Sequence, residues 1–220
     1  MNWTKYFFFT IVVKPFIKLV MGVSVHGGEH LPLSGPAILV ANHNSHLDTL
    51  VLMSLYSSVK LMRVHPMAAA DYFCNTAFKR FVFQKLIGII PIKRNPFLQM
   101  HQDIFEGAKK ALSEGKILIL FPEGTRGTNN HLQDFKTGIA HLTQGFPKVP
   151  VIPIFIHGTD KSLPKNEGLL VPFITDVYIG KSVFHQKEDN KKWTLSLQRK
   201  VALLQKQFLK DHLALSKADT

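Results

Sequence analysis

Four groups of polar residues directly follow apolar runs of the chain, and their side chains could act together chemically. They span residues 42–48, 93–95, 122–127 and 157–159, and they follow the runs AILVA, LIGIIPI, KILILF and VPVIPIFI. In open parallel sheets, ligands bind beyond the carboxyl ends of the strands. If the apolar runs are parallel strands, the four polar groups are therefore expected to meet at one site.

His43 and Asp48 are the candidate acid–base pair in the first group, NHNSHLD. On one continuous helix they would point about 140° apart, since an α-helix has ~3.6 residues per turn. A strand-to-helix junction brings them together instead. Asp48 then accepts a hydrogen bond from Nδ1 of His43 and leaves Nε2 to take a proton from a hydroxyl. The spacing alone equally fits a histidine hydrogen-bonded in a turn, because the chain has 11 histidines and short motifs recur by chance.

The third group, FPEGTRG at residues 121–127, places an acid, two glycines and an arginine after a buried strand. Glu123 can hold a substrate hydroxyl, and Arg126 can pair with a phosphate in a forked geometry that lysine cannot copy. The two residues could instead pair with each other across a surface turn. The predicted substrate-binding residues are Lys93, Arg94, Glu123, Gly124, Thr125 and Arg126.

The charge balance and the N-terminal segment favour an anionic partner. The formal net charge is +12, which suits nucleic acid or an anionic lipid surface. The longest uncharged apolar run near the N-terminus, Tyr6 to Val13, is far shorter than the ~20 residues that span a bilayer core. In residues 2–25, lysines that alternate with aromatic and aliphatic residues favour a peripheral, membrane-interfacial helix. A helix packed on the core is the alternative. The single cysteine, Cys74, excludes an internal disulfide.

Apolar runs alternate with mixed segments, which predicts an α/β domain with a mostly parallel central sheet flanked by helices. Strands are expected at 37–41, 86–92, 116–121, 149–156 and within 170–179, and helices at 48–57, 99–114 and 191–213. The last helix is basic and amphipathic, and it is expected to pack on the sheet rather than touch the membrane. The predicted division is a membrane-associating segment at 1–30, the α/β domain at 31–190 and the C-terminal helix and tail at 191–220.

These residues resemble the glycerolipid acyltransferase family, in particular the bacterial 1-acyl-glycerol-3-phosphate acyltransferases. NHNSHLD matches the family's first motif, a histidine and an aspartate separated by four residues. The second, third and fourth motifs match GIIPIKR at 88–94, FPEGTRG at 121–127 and VPVIPI at 149–154, in the family's order. FKTG at 135–138 is similar to a segment that follows the third motif.

The resemblance implies direct acyl transfer without an acyl-enzyme. His43, oriented by Asp48, would deprotonate the free hydroxyl of 1-acyl-glycerol-3-phosphate, which attacks acyl-CoA or the acyl-carrier-protein thioester and gives phosphatidic acid. No metal or cofactor is expected, because His43 and His46 lack a third ligand at a familiar spacing. The implied location is the membrane surface, at the cytoplasmic face of a bacterial inner membrane.

Two alternatives stay open at this stage. Residues 67–73, MAAADYF, lack a lysine that many members of the family carry, so the acceptor could be another lysolipid such as a lyso-ornithine lipid. The second alternative is a non-catalytic basic protein that binds membrane or nucleic acid. The chain lacks the aromatic stacking signature of nucleic-acid binders, so no nucleic-acid partner is expected.

Overall fold

The structure, a computed structural model, describes residues 2–69, 81–92, 103–127, 132–162 and 173–218. Within these residues seven strands form one sheet: β1 (Val23–His26), β2 (Ala37–Ala41), β3 (Val64–Ala69), β4 (Ile90–Ile92), β5 (Ile117–Leu120), β6 (Val151–His157) and β7 (Thr175–Ile179). Their order across the sheet is β1-β7-β6-β2-β5-β3-β4.

The sheet is parallel except at one pair, which confirms the predicted mostly parallel α/β fold. β2 lies between β5 and β6, with Leu39 level with Ile119 on one side and Ile152 on the other. Among the named strands of the described residues, β6 and β7 are the only neighbours that pair antiparallel. The carboxyl ends of β6, β2 and β5 are therefore neighbours at the centre of one sheet edge, where the polar groups that follow them can meet.

Helices cover both faces of the sheet. The α-helices among the described residues are α1 (Trp3–Phe7), α2 (Lys14–Phe16), α3 (Leu47–Ser54), α4 (Glu106–Ser113), α5 (Gly138–Gln144), α6 (Thr159–Ser162) and α7 (Asn190–Ala218). Other helical turns are of the π type at Phe8–Val13, Ile17–Met21 and Val82–Ile87. Those at Gly28–His30 and Lys60–Arg63 are of the 3₁₀ type. The predicted helices at 48–57 and 191–213 are confirmed. The described part of the helix expected at 99–114 is helical at 106–113.

Alternate residues of β2 point into two separate cores, as a pleated strand buried on both faces requires. Leu39 and Ala41 pack with the N-terminal helical segment and α3. Ile38 and Val40 pack with α4, α5 and the long helix α7. All five residues of β2 are fully buried, so this strand is held firmly at the position from which the first polar group emerges.

The N-terminal helical segment, residues 3–21, alternates α and π turns, so that side chains four residues apart lie on the same side of it. Its inner side is buried at five positions: Lys5, Phe9, Val13, Ile17 and Met21. Its outer side exposes apolar side chains with the same spacing at Trp3, Phe7, Ile11 and Leu19. The segment therefore packs on the core and also presents an apolar stripe to solvent. No helix among the described residues combines the length and apolar character that crossing a membrane requires.

The strand predicted at 86–92 is shorter than expected. A π-helical turn occupies Val82–Ile87, and only Ile90–Ile92 forms β4. Gly88 ends the turn with a φ of 81°, and its N–H and that of Ile89 both donate to the carbonyl of Phe83. Pro91 lies in an edge strand, as predicted, because β4 is the last strand of the sheet and a proline cannot donate to a further neighbour.

Two strands were not predicted. β1 reads VSVH, a run too short and polar to stand out, and it lies within the segment assigned to the membrane. β3 reads VHPMAA, whose histidine and proline break the apolar pattern. β1 pairs with β7, so the first 30 residues contribute a strand to the sheet. The domain boundaries at residues 30 and 190 stay predictions.

Candidate active site

His43 and Asp48 meet at the junction between β2 and α3. His43 lies in the turn after the strand, and Asp48 is the second residue of the helix. Nδ1 of His43 and Oδ2 of Asp48 are 2.9 Å apart. This contact fixes the imidazole as a donor at Nδ1 and leaves Nε2 as the acceptor. The His43 ring stacks on Phe121, with ring centroids 4.2 Å apart, and keeps 17% of its side chain exposed.

Asp48 is fully buried and accepts hydrogen bonds from four groups. Its Oδ2 accepts from His43 and from the backbone N–H groups of Asn44 (2.7 Å) and Ser45 (2.9 Å). Its Oδ1 accepts from the hydroxyl of Thr159, which is also fully buried. A buried carboxylate needs such partners, since an unpaired charge in the interior is costly. The four donors fix the aspartate rotamer and, through it, the histidine ring.

The turn that carries His43 is held to both neighbouring strands. The side-chain amide of Asn42 exchanges two hydrogen bonds with the backbone of Ile156 on β6 (2.9 and 2.8 Å). The N–H of Gly127 donates to the carbonyl of His43 (2.8 Å), which joins the turn to the segment that follows β5. These contacts restrict the position of the turn, and so of His43, from both sides.

Glu123 lies beneath this turn rather than on the surface. It is 2% exposed, and its Oε1 accepts from the backbone N–H of His43 (3.1 Å). Oε2 is enclosed and has no hydrogen-bond partner among the described residues. Burial raises the pKa of the carboxyl to about 7, although the backbone N–H groups of His43 and Gln133 offset part of that rise. Within the described part of the chain, Glu123 and Arg126 do not form the ion pair that sequence reasoning left open.

Arg126 provides local positive charge near His46, and that charge helps to keep the His46 imidazole neutral. Arg126 is partly exposed, and its charge acts on His46, the residue before α3. Burial, with the charge of Arg126 next in importance, lowers the pKa of His46 to about 4, so that imidazole is neutral at pH 7. Arg126 thus places a guanidinium group in this loop, beside the turn that carries His43.

Gly124 and Thr125 complete the segment after β5. Gly124 has a φ of 74°, and a Cβ there would lie 2.8 Å from Nζ of Lys136, so the Lys136 side chain packs directly over the glycine. Thr125 is exposed and donates to the Gln133 side chain (3.2 Å). The N–H of Lys136 donates to the carbonyl of Pro122 (2.9 Å), so FKTG follows the third motif in space as well as in sequence.

Three of the four polar groups converge as expected, from the ends of β2, β5 and β6. The second group, which contains Lys93 and Arg94, lies outside the described residues, as does Cys74. Sequence reasoning missed Thr159 as a partner of Asp48, although it placed that residue in the fourth polar group. It also missed the role of Asn42 and the stacking of Phe121 on His43. Among the described residues, no three histidine, cysteine or acidic side chains are placed to hold a metal ion.

The chain thus has an α/β sheet with a histidine–carboxylate pair at the carboxyl edge of its central strands, an arrangement suited to acid–base chemistry. Comparison with known proteins then shows to which family the chain belongs. A family model described as Acyltransferase matches residues 22–157, more than half of the chain. The chain belongs to the acyltransferase family.

Several curated relatives bear the name 1-acyl-sn-glycerol-3-phosphate acyltransferase. A chloroplastic protein of Brassica napus is 32% identical over 183 residues, covering 82% of this chain and 49% of the relative. The human alpha protein is 33% identical over 153 residues, covering 69% and 52%. A Mycoplasma genitalium protein named as a probable member is 29% identical over 154 residues, covering 70% and 55%. The chain thus spans about half the length of the curated relatives it matches.

A solved structure supports the fold independently. The crystal structure of the 1-acyl-sn-glycerophosphate acyltransferase PlsC from Thermotoga maritima aligns with a TM-score of 0.65. The match covers 88% of this chain and 78% of that one, at 23% sequence identity. At this identity the likeness establishes a shared fold, and the activity of this chain has to be argued from its own residues.

Proposed function

We propose that this protein transfers a fatty acyl group from a thioester to the free hydroxyl of 1-acyl-glycerol-3-phosphate, which gives phosphatidic acid. The observation that carries the proposal is the His43–Asp48 contact at 2.9 Å, on a turn anchored to β6 and to the segment that follows β5. The curated relatives that share this family bear the name of that activity. Family membership and site geometry therefore point to the same reaction class.

In the proposed reaction His43 is the general base. Nε2 takes the hydroxyl proton while the hydroxyl oxygen forms a bond to the thioester carbonyl carbon. The tetrahedral intermediate collapses, the carbon–sulfur bond breaks, and the imidazolium of His43 returns the proton to the leaving thiolate. Asp48 holds the ring in the productive orientation and stabilises the transient imidazolium. No metal or cofactor takes part in this proposal, and the acyl-CoA or acyl-carrier-protein thioester is a substrate.

Arg126 is proposed to bind the acceptor phosphate, because it is the partly exposed cation in the loop beside His43. A guanidinium can pair with phosphate through two parallel hydrogen bonds. Lys93 and Arg94 stay predicted as a second phosphate contact. Gly124 and Thr125 stay predicted as backbone and side-chain contacts of the substrate. For Glu123 a contact with a substrate hydroxyl also stays a prediction, since in this conformation its Oε2 is enclosed and its Oε1 supports the His43 turn.

The N-terminal helical segment is proposed to rest on the membrane that supplies the acceptor. Trp3, Phe7, Ile11 and Leu19 are 52 to 82% exposed in one row. An exposed apolar row on a strongly basic protein is suited to an anionic lipid interface. We place the protein at the cytoplasmic face of a bacterial inner membrane, in contact with lysophospholipid acceptor and acyl donor, and without a nucleic-acid partner.

The proposal is tested by acyl transfer with purified protein in detergent micelles. The labelled acyl thioesters of CoA and of acyl-carrier protein are supplied in separate reactions. Each is combined with lysophosphatidic acid, lysophosphatidylcholine or a lyso-ornithine lipid as the acceptor. We expect transfer to lysophosphatidic acid at a rate at least tenfold above the other acceptors. Preferred transfer to the lyso-ornithine lipid would keep the chemistry and replace the acceptor. Absence of transfer from either donor to every acceptor, by protein with an intact thermal unfolding transition, would refute the enzymatic proposal.

A further inference from the structure

Helix α7 has a second amphipathic side, opposite the side that packs on the sheet. Its inner side is buried at Trp193, Leu197, Val201 and Phe208. At about 100° per residue, the opposite side includes residues 195, 199, 203, 206, 210 and 213, which lie within an arc of about 80°. They combine leucines with cations and form what we call the C-terminal basic face: Leu195, Arg199, Leu203, Lys206, Lys210 and Leu213.

The leucines of this face are well exposed and lie among positive charges. Leu203 and Leu213 are 62 and 63% exposed, and neighbouring Leu209 is 51% exposed. Leu209 and Leu213 line a shallow groove together with Lys206 and Lys210. At ~1.5 Å per residue, the face from 195 to 213 is about 27 Å long. Repeated exposed leucines among cations form an extended surface, which differs from the isolated apolar residues that any protein exposes.

The second half of this face lies at the sheet edge that carries the candidate active site. Phe208 packs on His157, the last residue of β6, with ring centroids 4.3 Å apart. His212 lies 3.4 Å from Asp176 at the start of β7, which pairs antiparallel with the end of β6. Residues 206–213 of α7 are therefore placed beside the carboxyl end of β6, and the carboxyl end of β2 with His43 is next to it.

The C-terminal basic face and the exposed N-terminal row point away from opposite faces of the sheet. The N-terminal segment packs in the core that contains Leu39, and α7 packs in the core that contains Ile38. Adjacent residues of one strand point to opposite faces. When the N-terminal row rests on a bilayer, the C-terminal basic face is directed to the aqueous side. A water-soluble partner can reach it there, whereas the same flat bilayer cannot.

We propose that the C-terminal basic face binds the protein part of a carrier-bound acyl thioester, through an acidic surface that also presents apolar side chains. This inference rests on the proposed function and identifies the aqueous partner of that same site. Arg199, Lys206 and Lys210 complement carboxylates, and the leucines between them provide apolar contact. A free nucleotide thioester such as acyl-CoA is much smaller than a surface of this length. The length of the C-terminal basic face therefore favours a donor whose acyl group is carried by a protein.

The test compares two double variants with equal changes in charge. Lys206→Glu/Lys210→Glu alters the face, and Lys148→Glu/Lys187→Glu alters two exposed lysines elsewhere. Binding of fluorescently labelled acyl-carrier protein is measured by anisotropy, and kcat/KM is measured with each donor in neutral detergent. We expect the first variant to lose roughly tenfold or more in carrier binding and in kcat/KM with the carrier donor. Its kcat/KM with acyl-CoA, and all values for the second variant, should stay within about twofold.

The outcomes separate this inference from the proposed function. The proposed docking surface would be refuted if the Lys206→Glu/Lys210→Glu variant lost kcat/KM equally with both donors. Unchanged carrier binding in that variant would refute it as well. Lowered co-sedimentation with phosphatidylglycerol vesicles, with carrier binding unchanged, would overturn it as well and assign the face to lipid. Lysine-dependent carrier binding without turnover from either donor would support the docking surface and count against the proposed function alone.

Discussion

Replacing Thr159 with valine is expected to lower the turnover number of the candidate site, although Thr159 is too deeply buried to contact substrate. The Thr159 hydroxyl is the donor to Oδ1 of Asp48, and both residues are fully buried. Valine keeps the shape of the side chain and leaves the carboxylate oxygen without that donor. A hydrogen bond to a charged group contributes ~1.5–3 kcal/mol, so we take about 2 kcal/mol for its loss.

If this loss falls wholly on the transition state, turnover drops about thirtyfold, because ~1.36 kcal/mol corresponds to a factor of ten in rate. We expect Thr159→Val to lower kcat by this order and to change KM for the acceptor less than threefold. Urea unfolding should show a stability loss of about 2 kcal/mol or less. Thr159→Ser retains the hydroxyl and serves as the matched control, with kcat within about threefold of the unmodified protein.

Two results would contradict the proposed role of the Thr159 hydroxyl. A Thr159→Val protein with kcat within twofold would show that the histidine is oriented without the Oδ1 donor. Equal losses in the valine and serine variants would attribute the effect to packing, since serine keeps the hydrogen bond and loses only the methyl group.

Three further predictions concern ionisable groups: Glu123 and Arg126 at the site, and Lys5 in the N-terminal helical segment, next to the first residue of β3. Burial raises the pKa of Glu123 to about 7, so the stability that this carboxyl contributes is complete below pH 4.5 and lost as the pH rises through 7. Glu123→Gln should therefore remove a decline of about 3 kcal/mol in the unfolding free energy between pH 4.5 and 8. An unaltered pH profile in this variant would contradict the prediction. Burial, then the charge of Lys116, lowers the pKa of Lys5 to about 7, so stability should increase from pH 7 to 10.5 in urea unfolding, and Lys5→Met should flatten this increase. Arg126→Ala should raise KM for a phosphate-bearing acceptor roughly tenfold with kcat within threefold, and an unchanged KM would move phosphate binding to Lys93 and Arg94.

The sequence could predict the central strands and the meeting of their polar ends because each signal is local. AILVA and ILILF are uninterrupted apolar runs, and the polar residues that follow them are adjacent in the chain. The contact between His43 and Asp48 could also be predicted, since only a strand-to-helix junction brings those two positions together. In contrast, β3 contains a histidine and a proline, and its place between β5 and β4 depends on tertiary packing.

The supporting contacts could not be predicted, because they depend on strand order rather than on local pattern. Asn42 binds Ile156, and Asp48 binds Thr159, across more than 100 residues of chain. These contacts exist because β2 and β6 are adjacent in the sheet. Glu123 shows the same limit: its motif suggests a surface contact with substrate, whereas the position of the His43 turn encloses it.

The central claim is that His43 is the general base, and one measurement tests it directly. The turnover number for acyl transfer to lysophosphatidic acid is compared in the unmodified protein, in His43→Ala and in His141→Ala, a control at an exposed histidine of α5. We expect His43→Ala to retain its thermal unfolding transition and to lose a factor of at least ~10²–10⁴ in kcat, with His141→Ala unchanged within twofold. A folded His43→Ala protein with kcat within tenfold of the unmodified protein would contradict the account.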